Sequence, residues 1–161
     1  MDTARGFTLI ELLVTIAIMV LLGLLAVPNF VRMVDSSRAA SLAHQFPDDV
    51  AWARNQAVTS QHLVAIDITA GKCAWTTKVD GTAVSAHSND GTTANNDGMA
   101  CSWGSAPSSG VLSFNPQGFV TDGSTGNPVA PTLTVTAAQG QTWNIQVLNS
   151  GVTILNSNTA S

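Results

Sequence analysis

The stretch GFTLIELLVTIAIMVLLGLLAVPNF, residues 6–30, decides the fold. Residues 12–27 carry no charge, and only Thr15 and Gly23 interrupt their large apolar side chains and alanines. A helix over residues 7–30 would be roughly 36 Å long, which is enough to cross a hydrocarbon core of about 30 Å with some tilt. The stretch therefore predicts a membrane-inserting helix.

Glu11 is an acid inside this apolar stretch. An ionised carboxylate near the hydrocarbon costs on the order of 2.5–3.5 kcal/mol, so it needs a cationic partner. The nearest cations in sequence are Arg5, before the stretch, and Arg32, after it. Cleavage after Gly6 would place a new α-amine on Phe7, and that amine could pair with Glu11 of a neighbouring subunit.

The residues Gly6-Phe7-Thr8-Leu9-Ile10-Glu11 resemble the class III signal of type IV pilins and pseudopilins. In that family a prepilin peptidase cuts after the Gly and methylates the new N-terminal Phe, and the Glu guides assembly. The resemblance implies these roles for Gly6, Phe7 and Glu11. It also implies a helix-bending role for Pro28, and a C-terminal domain outside the cytoplasm.

Other N-terminal sorting segments fit the residues less well. An uncleaved signal anchor would leave Glu11 without a partner. A removable signal peptide has a shorter apolar run and a small-residue cleavage site directly after it. A lipoprotein needs a Cys near the N-terminus, and the first cysteine of this chain is Cys73. The positive charges on both sides of the stretch do not settle its orientation.

Composition indicates one modest globular domain after the apolar helix. The chain has 161 residues, of which 45% are hydrophobic and only 10% charged. A charged fraction so far below the usual quarter suits an extracytoplasmic, polymer-forming domain. From Asp35 onward four basic residues accompany eight acidic ones, and no Lys or Arg follows Lys78. Because cations on phosphates supply most nucleic-acid affinity, a nucleic-acid partner is disfavoured.

Cys73 and Cys101 predict one disulfide in an oxidising compartment, worth roughly 3.5 kcal/mol in the chain-entropy model. Two free thiols are the alternative. The three histidines, His44, His62 and His87, lie at irregular spacing and make no recognisable zinc pattern with the cysteines. We therefore predict no metal at the cysteines.

After Pro28 the helical pattern continues as an amphipathic helix. Its predicted apolar face consists of Phe30, Val34, Leu42, Phe46, Val50, Ala53 and Ala57, with Arg32, Asp35, Arg38, Asp49, Arg54 and Gln56 largely elsewhere. Pro47 removes a helical hydrogen bond and its ring clashes with the preceding turn. We therefore predict a kink or break near Pro47, giving helical pieces over residues 8–45 and 47–59.

Two further stretches are similar to the GspH/FimT branch of the pilin family. One is Ala53-Arg54-Asn55-Gln56-Ala57-Val58, and the other is the F-x-P-x-G sequence at residues 114–118. The resemblance implies a long first helix, half in the membrane or filament core and half packed on a sheet. It also implies that F-x-P-x-G joins two strands of the second sheet.

The rest of the chain predicts an antiparallel β-sheet domain, so the fold class is α+β. Residues 62–69 and 72–79, separated by Ala70-Gly71, predict a hairpin. Residues 80–110 are rich in Gly, Ser, Asn and Asp and predict a long surface loop. A turn at residues 114–118 and three closing strands follow, at residues 132–137, 141–148 and 152–155.

No residue pattern indicates catalysis or a cofactor. The sequence has no G-x-S-x-G, Walker loop, dinucleotide fingerprint or H-E-x-x-H. Residues 89–98 cluster oxygen-bearing side chains, but they lack the spacing of a calcium loop, and turn chemistry explains them equally well. We predict packing roles for Trp52, Trp75, Trp103 and Trp143. We therefore predict that the protein is not an enzyme and binds no cofactor or metal.

The predicted organisation is a leader at residues 1–6, a transmembrane or filament-core helix at 7–30, an amphipathic helix at 31–60 and a periplasmic β-rich domain at 61–161. The resemblance implies a minor pilin that primes or caps a type IV pilus. A minor pseudopilin of type II secretion, a major pilin and a DNA-binding pilin are the alternatives. Implied partners are other subunits, prepilin peptidase, the inner-membrane assembly platform and, before assembly, membrane lipid.

Overall fold

The computed structural model describes residues 8–92 and 98–158, apart from the side chains of residues 25–29. Gly6 and Phe7 lie outside the described residues, so their cleavage and methylation stay predictions. The chain divides into two compact units, Met1–Val34 and Asp35–Ser161.

One α-helix, α1, runs over Leu9–Ser60 without interruption. The predicted division into two helical pieces at Pro47 is therefore wrong, whereas a kink there stays a prediction. Pro47 lacks the N–H that would bond to the carbonyl of Ala43, but Ala43, Phe46 and Val50 are fully buried around it. Burial on both sides of the proline outweighs one missing hydrogen bond. Pro28 also lies within α1, and a bend there stays a prediction.

The first unit consists of the N-terminal part of α1, and its large apolar side chains are exposed. Leu9 is 78% exposed and Leu24 69%, and the described apolar side chains between them are similar. Among the described residues, no helix has the length and hydropathy that a membrane crossing requires.

In the second unit α1 buries one continuous face. The buried apolar residues of that face are Ala39, Leu42, Ala43, Phe46, Val50, Ala53 and Ala57. The predicted face is confirmed from Leu42 onward, but it does not reach Phe30, which is 68% exposed. Asp49 was expected on the polar side of the helix and is instead buried at 3% exposure.

Nine strands follow the helix. They are β1 Val64–Thr69, β2 Ala74–Val79, β3 Thr82–Ala83, β4 Ala100–Gly104, β5 Val111–Phe114, β6 Val120–Asp122, β7 Thr132–Thr136, β8 Thr142–Val147 and β9 Thr153–Asn158. A short 3-10 helix covers Ser85–His87. The strands form a five-stranded sheet in the order β3-β2-β1-β5-β6 and a four-stranded sheet in the order β4-β7-β8-β9.

The five-stranded sheet contains the predicted hairpin. Strands β1 and β2 pair antiparallel, from Val64 opposite Val79 to Thr69 opposite Ala74. Strand β5 pairs with the other edge of β1, with Leu112 opposite Ile66. The F-x-P-x-G turn joins β5 to β6, so it lies in the same sheet as the hairpin. Its expected place in the second sheet is wrong, because the pairing of β5 with β1 decides the sheet.

The four-stranded sheet contains the three predicted closing strands, β7, β8 and β9. It also contains β4, which lies within the stretch predicted to be a surface loop. In β4 the side chain of Cys101 is buried and that of Trp103 half-buried, while the residues around them face outward. This alternation spans only five residues, and pairing with β7, where Cys101 lies opposite Val135, is what holds the strand.

The core lies where α1 and the inner faces of the sheets meet. Fully buried side chains include Ile66, Leu112 and Phe114 of one sheet and Val135 and Ile145 of the other. From the helix, the ring of Phe46 packs edge-on against Trp75 and against Trp103, each at a centroid distance of 5.1 Å. These contacts confirm the packing role predicted for both tryptophans.

A disulfide joins Cys73 to Cys101, with Cα atoms 5.0 Å apart, and confirms the predicted pairing. Cys73 lies in the turn before β2 and Cys101 in β4. The bond therefore fixes the edge of the four-stranded sheet to the hairpin of the five-stranded sheet. Because the bond closes a long loop, it limits the conformational freedom of the residues between the two cysteines in the unfolded chain.

We expect a Cys73→Ser/Cys101→Ser variant to lose about 3.5 kcal/mol of its free energy of unfolding, because the disulfide restricts the unfolded chain. Denaturant unfolding of the full-length protein in detergent, with and without a reductant, measures this loss. The reductant should lower the stability of the wild type and leave the variant unchanged. A loss below about 1 kcal/mol would contradict the entropic account.

Candidate functional site

Thr8 caps the start of α1. The backbone N–H of Glu11 donates to Oγ1 of Thr8 at 3.3 Å, and the N–H of Leu12 donates to the carbonyl of Thr8 at 3.3 Å. A Thr followed three residues later by a Glu is the spacing of a capping box. Thr8 and Glu11 of the pilin-like motif therefore also stabilise the N-terminus of α1.

Glu11 lies in the first turn of α1, at the positive end of the helix dipole, where a carboxylate is favoured. Its side chain is exposed. Around it, Leu9, Ile10, Leu12 and Leu13 are each more than half exposed. Glu11 is therefore surrounded by exposed apolar side chains on every face of the helix. Such an apolar helix surface needs lipid or other helices to cover it.

A second cluster forms where Arg54 of α1 meets two turns. The Nε–H of Arg54 donates to the carbonyl of Gly118 at 3.3 Å. Gly118 belongs to the F-x-P-x-G turn and Gly151 to the turn between β8 and β9. The two turns are joined by a hydrogen bond from the N–H of Val120 to the carbonyl of Asn149, at 2.8 Å.

Gly118 and Gly151 both lie against Arg54. Gly118 has φ +83° and Gly151 φ +74°, in the left-handed region that favours glycine. A Cβ on Gly151 would lie 2.5 Å from Cδ of Arg54, and a Cβ on Gly118 would lie 3.2 Å from its Nε. Real Cβ atoms essentially never come as close as 2.5 Å to another atom, so Gly151 leaves room for Arg54, whereas at Gly118 the contact is tight and the backbone conformation is the stronger reason for glycine.

A third cluster centres on the buried carboxylate of Asp49. Its Oδ2 accepts a hydrogen bond from Nε1 of Trp75 at 2.8 Å, and its Oδ1 lies 3.0 Å from Nδ1 of His87. The His87 ring stacks on Trp52, with centroids 4.1 Å apart and an interplanar angle of 16°. One helix acid thus holds a strand and the 3-10 helix.

Comparisons with protein families match the parts of the chain that contain these clusters. A model of the type II transport protein GspH matches residues 42–151, which include Asp49, Arg54, Gly118 and Gly151. The match covers more than half of the chain. The chain belongs to the GspH family. Residues 1–27 of this GspH-family protein also match the prokaryotic N-terminal methylation motif, so the chain is a pilin-type or pseudopilin-type subunit.

Comparison with solved structures gives a similar chain in the type IV minor pilin FimU of Pseudomonas aeruginosa. The likeness has a TM-score of 0.49 and 15% sequence identity, and it covers 75% of this chain and 98% of FimU. No curated protein matches the chain.

The structure separates the three histidines of the GspH-family protein. His44 is exposed on α1. His62 pairs with Asp80 at 2.7 Å, and His87 binds Asp49. Within residues 8–92 and 98–158, no group of three or more His, Cys, Asp or Glu side chains could hold a metal ion. Residues 93–97 of the stretch considered for calcium lie outside the described residues.

The sequence predictions missed the roles of Asp49 and His87. Asp49 was placed with the polar residues and His87 in a loop. One sequence feature could have found the cluster: Asp49 and Trp52 are three residues apart, and such residues lie on the same side of a helix. The joining of Arg54 to Gly118 had no local indication, because the two residues are 64 positions apart.

Asp122 at the end of β6 is a buried carboxylate with an unusual number of donors. It accepts hydrogen bonds from the N–H and hydroxyl of Ser124, the N–H and hydroxyl of Ser108, and the hydroxyl of Ser109. These bonds, those from Ser124 most of all, hold the pKa of Asp122 far below its usual range. The carboxylate fastens the segment before β5 to the turn after β6.

The lowered pKa of Asp122 makes the free energy of unfolding depend on pH in the acid range. Because the folded pKa of Asp122 lies below the unfolded value of about 3.9, its contribution is complete above that value and is lost as the pH falls below it. We expect the wild type to exceed an Asp122→Asn variant in stability most strongly above about pH 5, with the difference narrowing below about pH 4.

Denaturant unfolding of both proteins between acid and neutral pH measures this difference. A Ser108→Ala/Ser124→Ala variant is the matched control, since it keeps the carboxylate and loses two hydroxyl donors. Its stability should fall between the other two at neutral pH. A constant difference between wild type and Asp122→Asn across the whole pH range would contradict the prediction.

Proposed function

We propose that this GspH-family protein is a minor pilin that primes or caps a type IV pilus. The observation that carries the proposal is the position of two matches on one helix. The methylation motif covers the exposed apolar start of α1, and the GspH match begins within the part of α1 that is buried on the sheets. One helix is therefore available for filament packing at one end and for carrying a domain at the other.

Before assembly, the apolar start of the helix would lie in the inner membrane, with the β-rich unit in the periplasm. The exposed apolar side chains from Leu9 to Leu24 support this proposal, because leaving them in water is unfavourable. In the filament, helices of neighbouring subunits would cover the same side chains. Burial of apolar surface, which contributes about 25 cal/mol per Å², would supply most of the free energy that holds the subunits together.

Docking would depend on Glu11. Cleavage after Gly6 by a prepilin peptidase would leave a methylated Phe7 amine close in sequence to Glu11. The Glu11 carboxylate of one subunit would neutralise the amine of the next while both are out of water, where an unpaired charge is costly. The charge pair would set how far each subunit enters the bundle, and the assembly platform would drive its extraction from the membrane.

A minor pseudopilin of a type II secretion system is the second candidate. The description of the matching family, a type II transport protein, favours it. Both candidates use the same N-terminal chemistry, so a deletion strain separates them. Loss of surface pili on deletion supports the pilus role, whereas retained pili with lost secretion of exoproteins supports the secretion role.

Three other roles fit less well. A DNA receptor would need cations on its surface, and no Lys or Arg follows Lys78. A major pilin would make up most of a sheared filament, so its abundance would separate it from a minor subunit. A catalytic role has no supporting motif in the sequence.

The processing step is directly measurable. We expect the mature chain to begin at N-methylated Phe7 in cells with an active prepilin peptidase, and to keep residues 1–6 in cells without it. Intact mass and N-terminal sequencing of the purified protein measure both states. A chain that keeps Met1 in both strains would refute the pilin role and indicate a plain membrane anchor.

The charge on Glu11 has its own test. We expect Glu11→Gln to insert normally in the membrane and to be absent from sheared filaments, because it cannot neutralise the Phe7 amine. Gln is as good as Glu at this position of a capping box, so helix capping is preserved. Membrane fractionation and immunoblotting of filaments measure the two steps, and wild-type incorporation of Glu11→Gln would mean that the charge is not needed.

A further inference from the structure

Arg54 has more hydrogen-bonding capacity than the fold uses. A guanidinium has five N–H donors, and within the described residues the bond it makes is from Nε to the carbonyl of Gly118. The ion pairs of His62, Lys78 and His87 do not include Arg54. The guanidinium of the half-buried Arg54 therefore has N–H donors available for a ligand beyond the one that binds Gly118.

The side chain of Arg54 lines an open cleft of about 260 Å³. Ala51 and Asn55 contribute from α1, and Gly151, Val152 and Thr153 contribute from the turn before β9. No acidic residue lines the cleft, whereas Asn55 and Thr153 add an amide and a hydroxyl donor. The volume is below the roughly 300–1,000 Å³ typical of small-molecule sites, and suits the end of one side chain.

One hydrogen bond positions the charged wall of the cleft. The Nε–H of Arg54 is bonded to the carbonyl of Gly118, and a Cβ on Gly151 would lie 2.5 Å from Cδ of Arg54. The bond to Gly118 places the guanidinium at the cleft before a ligand binds, and pre-organisation of this kind raises affinity. The planar fork of a guanidinium matches a carboxylate through two parallel hydrogen bonds.

We propose that the Arg54 cleft binds the carboxylate of an Asp or Glu side chain from a neighbouring filament subunit. This inference rests on the proposed filament function, since only a filament supplies the neighbour. Charge supports it. From Asp35 onward this chain has eight acidic residues and four basic ones. Asp49 and Asp122 are buried, but Asp48 and Asp90 are exposed, so a neighbouring copy of the chain offers surface carboxylates to the Arg54 cleft.

Binding can be tested without a filament. The full-length protein in detergent is titrated with N-acetyl-glutamate amide, and the backbone amide resonances of Gly151 and Thr153 are followed by NMR. We expect saturable shifts in the wild type, and none with N-acetyl-glutamine amide, which has the same shape without the charge. Arg54→Gln should weaken binding by about tenfold or more, because it removes a charge-assisted pair.

A second variant keeps the test decisive if Arg54→Gln unfolds the protein. Asn55 is exposed on α1, so Asn55→Asp should fold normally while placing a competing carboxylate at the cleft. It should abolish the shifts. Equal binding of the glutamine compound, or unchanged binding by either variant, would overturn the proposal. Stronger binding of inorganic phosphate or an oligonucleotide than of the glutamate compound would also overturn it, in favour of a phosphate site.

Incorporation into filaments then tests whether the Arg54 cleft contacts a neighbouring subunit. We expect Asn55→Asp to lower incorporation by about tenfold, and Lys72→Gln, which removes an exposed cation outside the cleft, to incorporate normally. Wild-type incorporation of Asn55→Asp would overturn the proposed contact. If the wild type itself enters no filament, the proposed function fails, whereas the NMR titration still decides whether the cleft binds a carboxylate.

Discussion

The β-rich unit depends on close approach between α1 and the two sheets. Four alanines of the helix, Ala39, Ala43, Ala53 and Ala57, are buried completely, and their small side chains let strands come near the helix backbone. Between them Phe46 fills the space between Trp75 and Trp103. A larger residue at any of these alanines would overpack a dense core and separate the layers. The sheets have no other helix to cover their inner faces within the described residues.

The same helix organises the polar contacts of the unit. Asp49 holds Trp75 and His87, and Arg54 holds the F-x-P-x-G turn and lies against the turn before β9. Two sequence stretches that are far apart, A-R-x-x-A and F-x-P-x-G, thus form one structural element. The arginine supplies a cation and a long stem, and the glycines supply backbone shapes and empty space that no other residue provides. Neither stretch has this meaning alone.

Local periodicity explains which parts of the fold could be predicted. The apolar stretch, the buried face of α1, the β1–β2 hairpin and the last three strands each show their pattern within a few residues. The disulfide was predicted from two cysteines and an expected oxidising compartment. The candidate assembly residues were predicted from a short motif whose proposed chemistry is local, because Glu11 is four residues from the α-amine that cleavage after Gly6 would create.

The errors arose where distant contacts decide the structure. The helix passes through Pro47 because the residues on both sides are buried. Strand β4 exists because β7 pairs with it, and the Phe114 turn joins the hairpin sheet because β5 pairs with β1. Asp49 looked like a surface acid because its partners, Trp75 and His87, come much later in the chain. Burial and pairing of this kind cannot be read from a short window of sequence.

The disulfide has a mechanical consequence for a protein that serves in a filament. A chain pulled from its ends extends by about 3.4 Å for each residue released. Cys73 and Cys101 are 28 residues apart in sequence. Because they are covalently joined, the chain between them cannot extend, which removes about 90 Å of possible extension even if the surrounding strands separate. A stretched subunit would therefore lengthen less than its number of residues allows. When the load is removed, it would refold from a less extended state.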